Sequence, residues 1–271
     1  MAVNMSPLSE LHLAGYIVAT HLRSAMELRR AFGLQIIGMM VNNTAFVVIW
    51  LFFFQVFGTI YGWSSLETIG LQGFVALVYG LAFTIGSGIL HLPSIVDNGS
   101  FDALLLSPRN LYLGVITSKC GVSSIGDIFF GIVLIVTYLV MASASWQQVL
   151  LLITLLLPAT MIVLNCALIT SLLAFLLPNS TSISKSLFDI FFSPSMYPSG
   201  LFQGGTRFLF LFVIPSLAIA GIPIEVVRDV DLKGWLIVWG LGIFWTCLGI
   251  KLLTLAVKKY ESGNLVGART S

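Results

Sequence analysis

The side chains able to do chemistry in this chain are few. Asp127 follows Gly126 at the head of an apolar run. Lys185 and Asp189 stand four residues apart and so share one face of any helix. A lone charge in lipid costs several kcal/mol, so each must meet a partner or line a polar path. Lys119 or water at the cytoplasmic end can satisfy Asp127, and Lys185 and Asp189 can pair with each other. Asn42, Asn43 and Asn165 lie in apolar sequence, where hydrogen bonding between helices is their expected role. His12, His21 and His91, and Cys120, Cys166 and Cys247, have no metal-ligand spacing. No Lys follows a Gly, so the backbone cradle and lysine of a phosphate-binding loop are missing. There is no His-Glu-x-x-His and no Gly-x-Ser-x-Gly. These residues predict no enzyme, no metal and no cofactor in this chain.

Two segments stand out from this background. In the first, Asp97-Asn98-Gly99 signals a turn, Ser100 can cap a short helix, and Asp102 suits its positive N-terminal end. Leu104, Leu105 and Leu106 make that helix greasy, and Ser107-Pro108 stops it. Leucines beside charges in a loop call for a groove in a partner, or for packing against their own bundle. The second segment is Met196-Tyr197-Pro198-Ser199-Gly200-Leu201-Phe202, followed by an apolar stretch with Ile214-Pro215 and Gly221-Ile222-Pro223.

Lipid must solvate the elements that position these segments. Of 271 residues, 58% are hydrophobic and 9% charged, and mean hydropathy is +1.01. A soluble fold of this length cannot hide so much apolar surface. The net charge of +2 gives no reason to expect nucleic acid. Stretches 32–57, 69–92, 125–142, 149–177 and 235–257 are each long and apolar enough to cross a bilayer. Pro158 is expected to kink the fourth. With the N-terminus in the cytoplasm, Arg23, Arg29, Arg30, Arg109, Lys119, Lys185, Lys251, Lys258, Lys259 and Arg269 fall inside, and Arg228 and Lys233 outside. Both termini are then cytoplasmic. Trp63 and Trp146 fall where aromatic belts form. Glycine pairs at Gly58–Gly62 and Gly200–Gly204, with Gly80, Gly86 and Gly88, permit close helix approach.

The fifth span has two readings. Hydropathy alone makes 208–222 the span. Alternatively 182–196 crosses outward, and 206–222 is a re-entrant helical pair entering from outside, which the Pro and Gly content from 194 to 223 favours. Residues 6–31 read as an interfacial helix, with Ser6 as N-cap, Pro7 at its first position and an apolar stripe of Leu11, Gly15, Val18, Leu22 and Ala25. Glu10 lies mostly off that stripe. The expected architecture is a single all-α membrane domain over 1–271: interfacial helix, six-span bundle over 32–257, and cytoplasmic tail over 258–271.

Together the two segments resemble the permease subunits of ATP-binding-cassette type-2 exporters, and within them a compact six-span branch of about 260 residues with mostly unassigned substrates. Gly99-Ser100-Phe101-Asp102-Ala103-Leu104-Leu105 with Pro108 is similar to that family's "Gly, small, apolar, acid, x, Leu, Leu … Pro" pattern after span two. Tyr197-Pro198, Ile214-Pro215 and Pro223 resemble its "Tyr-Pro … Ile-Pro … Tyr-Pro" pattern, with Ile222 in place of the last Tyr. The resemblance implies that the loop of Gly99, Ser100, Phe101, Asp102, Leu104, Leu105, Pro108 and Arg109 couples to a separate ATPase, which holds ATP and Mg. It implies re-entrant helices before the last span, with Tyr197, Pro198, Pro215 and Pro223 at an outer gate. A second permease, identical or related, would complete the pump in a cell inner (plasma) membrane. Asp127, Lys185 and Asp189 are the polar pathway candidates, and an apolar path with Phe46 and Phe53 would suit an amphiphile. The alternative is a secondary transporter or channel subunit without an ATPase.

Overall fold

The computed structural model describes residues 7–260, and the elements among them are helices joined by turns and loops, in the order α1 (Pro7–Glu27), α2 (Arg29–Phe57), α3 (Ser65–Gly86), α4 (Gly88–Asp97), α5 (Phe101–Leu106), α6 (Leu111–Ile116), α7 (Ser124–Met141), α8 (Trp146–Ser171), α9 (Thr181–Phe192), α10 (Gly205–Phe208), α11 (Gly221–Asp229) and α12 (Leu232–Val257). Five of these, α2, α3, α7, α8 with its 3-10 extension to Phe175, and α12, are long and apolar enough to cross a membrane. They match the five hydropathic stretches, with one difference. The second does not run on to Leu92. It ends at Gly86, and the chain turns at Ser87 into α4. Gly88 allows this turn, because its Cα packs against Ser118 and the backbone of Val115, where no side chain would fit.

α3 forms the centre of the bundle, with most of its length buried. It packs most extensively on α7. Their seam is built from glycine: a methyl on Gly73 would stand 2.7 Å from Leu134 Cβ, and one on Gly80 would stand 2.7 Å from Ile128 N. On the facing side, a methyl on Gly131 would stand 2.6 Å from Leu77 N. Small residues let the two backbones meet where apolar burial supplies little net driving force in lipid. Gly80 and Gly86 act as expected. Gly58 and Gly62 do not. Both sit in the α2–α3 loop with φ of 71° and 79°, so they shape a turn rather than a helix contact. That loop tucks Trp63 into the core at 2% exposure, away from the aromatic belt expected for it, whereas Trp146 is exposed.

α8 and α12 form the second closely packed pair. Pro158 lies inside α8 without ending it, against the bare Cα of Gly242. Asn165 knits three elements: its Oδ1 accepts from the Tyr112 hydroxyl at 3.2 Å, and its Nδ2 donates to Thr246 Oγ1 at 3.1 Å.

Contacts define two ends of the bundle. At one, the Arg228 guanidinium bonds Glu67 Oε1 at 3.1 Å, and Gln148 Nε2 donates to the Val227 carbonyl at 2.8 Å. At the other, the Asn179 N–H meets Asp97 at 3.3 Å, and Phe101 stacks edge-on to Phe175 and Tyr260. α1 belongs to this second end, since Glu10 Oε1 accepts from the Asn110 N–H at 3.1 Å. Both ends of the described chain therefore share one side. Glu10, off the apolar stripe of α1, thus meets the bundle through a polar contact. α1 stops at Glu27, and α2 starts at Arg29, three residues before the expected first span. Ser6, the expected cap, lies outside the described residues, as do Arg269 and most of the expected tail.

Residues 208–222 do not form one helix. α10 runs into a π turn over Leu209–Val213, the chain leaves helix at Ile214, and α11 begins at Gly221. The two limbs form a hairpin tied by the Arg207–Glu225 pair at 2.7 Å. α9 and the 3-10 turn Ser193–Met196 instead run from Asn179, beside Asp97, to Gly200, which abuts Tyr61 in the α2–α3 loop. That is end to end along α3, about 18 Å of α-helix and about 8 Å of 3-10 helix.

Candidate functional site

Four hollows follow one another along the bundle, the second of them between α2, α3 and α9. The first, about 290 Å³, has His91, Lys185, Asp189 and Tyr79 in its wall. Tyr79 and Asp189 also wall the second, a chamber of about 200 Å³ that contains Asn42, Asn43, Gln72 and Asp127. Phe46 closes that chamber and opens the third hollow, an aromatic groove of about 700 Å³ with Trp50, Phe53 and Tyr197. Tyr61 joins the groove to the fourth, about 440 Å³, which is lined by Arg207, Glu225 and Arg228. Shared wall residues make these one interrupted path along the bundle.

The local causes are plain. α2 buries only Phe54 among its side chains, so its apolar face is open along the groove. Trp50 meets Tyr197 edge to face at 5.7 Å, and both rings line the groove. In the chamber, Asn43 Nδ2 donates to Asp127 Oδ1 at 2.6 Å. The partner of Asp127 is therefore Asn43 and not Lys119. Asp127 is 2% exposed, and its Oδ2 is buried with no hydrogen-bond partner. Gln72 Nε2 donates to the Met196 carbonyl at 2.7 Å and pins the end of the α9 segment to α3. Lys185 and Asp189 both line the first hollow, but they form no ion pair with each other.

At the Arg228 end, charges the sequence did not single out come together. Ser199 donates its hydroxyl to Glu225, and Arg207 holds the same carboxylate. Ser64 and Glu67 form a capping box at the start of α3, and Glu67 also takes Arg228. The Ser-x-x-Glu spacing was the available signal for Glu67. No spacing signals the meeting of Ser199 with Glu225. The hydrogen bond to Asp229, opposed by partial desolvation and aided by the hydrogen bond to Glu67, holds the Arg228 guanidinium even more firmly protonated than usual. Of the expected gate residues, Tyr197 lines the groove, whereas Pro198, Pro215 and Pro223 are buried. None of the three prolines lines the hollows described above.

The Gly99–Pro108 segment does form a short helix, α5. Gly99 takes φ 73°, and the Ser100 N–H is held by Asn98 Oδ1 at 3.0 Å, so Asn98 organises the turn and the Ser100 side chain does not cap. The helix has two faces. Phe101 is 0% exposed under Phe175 and Tyr260, and Leu104 packs beside it. Leu105 and Leu106 are 41% and 86% exposed and point away, beside exposed Pro108. Asp102 and Arg109 are half-buried, and Arg109 lies against Gly114 of α6. Asn110 then caps α6 through Tyr112 N at 2.9 Å, while its own N–H goes to Glu10. α1 is thus joined directly to the leucine loop. The sequence offered no signal for that contact.

No curated protein and no solved structure matches the chain. The family model for ABC-2 family transporter protein matches residues 39–263, which takes in every wall of the path and the whole leucine loop. A match over that span, on a bundle with five membrane-length helices, shows that the chain belongs to the ABC-2 transporter family.

Proposed function

We propose that this chain is the transmembrane subunit of an ATP-driven exporter. It moves an amphiphile outward by alternating access, as one of two permeases served by separate ATPase subunits in a cell inner membrane. The observation that carries the reading is the row of hollows along the bundle, which joins its two ends by shared wall residues. Its walls pass from charged to polar to aromatic to charged, as suits a molecule with a head and a tail. The path lies open beside the uncovered face of α2, where a second permease would close it.

The stroke enters at α5. Leu105 and Leu106 present a small apolar knob that fits a groove in the ATPase, and Phe101 anchors the knob to the α8 extension and to Tyr260 beyond α12. α1 lies along the inner leaflet and, through Glu10, braces the same loop. In this reading α9 with its 3-10 turn is the fifth of six spans, and the α10–α11 hairpin is re-entrant from outside. The support is that both limbs of the hairpin end beside Glu67 and Arg228. The α9 segment falls a little short of the bilayer's hydrocarbon thickness of about 30 Å.

Two measurements test this. Mild-detergent purification of the tagged chain from its native host should recover an ATPase subunit, identified by mass spectrometry. Recovery of the chain alone after crosslinking would move it to a secondary transporter or channel using Asp127. For topology, Gly205 has open space around its Cα, so Gly205→Cys in a Cys247→Ser background places a thiol without disturbing packing. It should react with an impermeant reagent from outside. Reaction only after permeabilisation would overturn the re-entrant assignment. Ser199 is unsuited to this test, because it is buried on Glu225.

A further inference from the structure

The middle chamber carries an inference about cargo, and it rests on the exporter reading above. Asp127 is 2% exposed, with one carboxylate oxygen on Asn43 and the other buried without a partner. Asp189 faces the same chamber from α9, and neither lysine nor arginine lines it among the described residues. Lys185 lines the neighbouring hollow instead, on the far side of Tyr79. Two carboxylates and uncharged amides around about 200 Å³ make a region of negative potential with an unfilled acceptor in it. A buried carboxylate with an open oxygen is costly, and a ligand that brings both positive charge and an N–H donor relieves it. One residue away, across Phe46, lies the aromatic groove of about 700 Å³, within the range of about 300–1,000 Å³ typical of small-molecule sites. Trp50 and Tyr197 offer ring faces to apolar chains and to cations alike.

We propose that this chamber and groove form one bipartite binding site for a cationic amphiphile, with its ammonium group at Asp127 and Asp189 and its hydrocarbon part against Phe46, Trp50 and Tyr197. An anionic amphiphile meets Asp189 and the open oxygen of Asp127, and a neutral one can hydrogen-bond that oxygen but leaves the negative charge uncompensated. The site therefore selects by head-group charge, while the groove accepts many tails.

The test uses the full chain in phosphatidylcholine nanodiscs, without ATPase or nucleotide, with binding counted above that of empty discs. The probes are dodecylammonium, dodecanol and dodecyl sulfate below their micellar concentrations. The cation should bind saturably and at least about tenfold more tightly than either other probe. Asp127→Asn and Asp189→Asn should each weaken cation binding by about tenfold or more and leave dodecanol binding unchanged. Lys233→Gln, at the exposed start of α12 and in the wall of none of the four hollows, should bind as the unaltered chain does. The charge preference of the unaltered chain stands as evidence even if Asp127→Asn fails to fold. Equal or tighter binding of dodecyl sulfate, no saturable binding, or full cation binding by well-folded Asp127→Asn and Asp189→Asn overturns the proposal. Such a failure with the ATPase still co-purifying rejects the cationic site and leaves the exporter reading intact. Loss of co-purification rejects the exporter reading by itself.

Discussion

Leu105→Asp combined with Leu106→Asp is expected to abolish co-purification of the ATPase and leave the melting temperature of the permease unchanged. Both side chains stand clear of the bundle, with Leu106 86% exposed, so their loss opens no cavity. Inside a partner groove, however, two carboxylates would be desolvated without partners. That costs several kcal/mol and amounts to losses of a hundredfold or more in affinity, by order of magnitude. Phe101→Ala, on the opposite face of the same helix, should behave in the reverse manner. It removes a ring held at about 5 Å from both Phe175 and Tyr260 and should cost about 3–5 kcal/mol of stability. Thermal unfolding and ATPase recovery, measured on both variants, separate the two faces. If the double aspartate variant retains its ATPase, the leucine knob is not the docking surface.

The second large effect is expected at the α3–α7 seam. Gly131→Leu should prevent recovery of monodisperse protein, because its first added carbon meets the Leu77 N and the Gly73 carbonyl at 2.6 and 2.7 Å. Both are backbone atoms of the central helix and cannot move aside as a flexible side chain would. Overpacking in a well-packed core costs about 1–3 kcal/mol even where side chains give way, and here they cannot. Gly240→Leu is the control, since nothing lies within 4 Å of the carbon it adds. Size-exclusion profiles of the two variants decide the matter. A normal profile for Gly131→Leu would mean that α3 and α7 do not meet as closely as described.

Much of this fold was legible in the residues. Runs of apolar side chains define the five long helices, since a bilayer admits little else. The turn signal at Asp97-Asn98-Gly99 and the stop at Ser107-Pro108 bound α5. The Pro and Gly content between 194 and 223 foretold broken helix there, and the chain does break at Ile214. Its finer placement was not legible. Hydropathy sees the apolar character of 208–222 but not whether the chain turns back, because both arrangements bury the same side chains.

The sequence by itself determined what this protein is made of: a lipid-solvated helical chain with five stretches of membrane-spanning length, carrying a leucine-rich turn between two of them. These are properties of composition and of neighbours within a few residues, where periodicity and turn chemistry act. The tertiary structure alone decided which charges matter. It placed Asn43, not Lys119, on Asp127, set Lys185 and Asp189 in the wall of one hollow without an ion pair between them, and gathered Ser199, Arg207 and Glu225 at one mouth of the path. It also turned Phe101 inward and Leu106 outward on one short helix, and brought Glu10 to Asn110. The physical reason is common to all of these. A polar contact is specified by the relative rotation and depth of two packed helices, and those are set by where glycines allow backbones to touch, a property of pairs of elements that no single segment records.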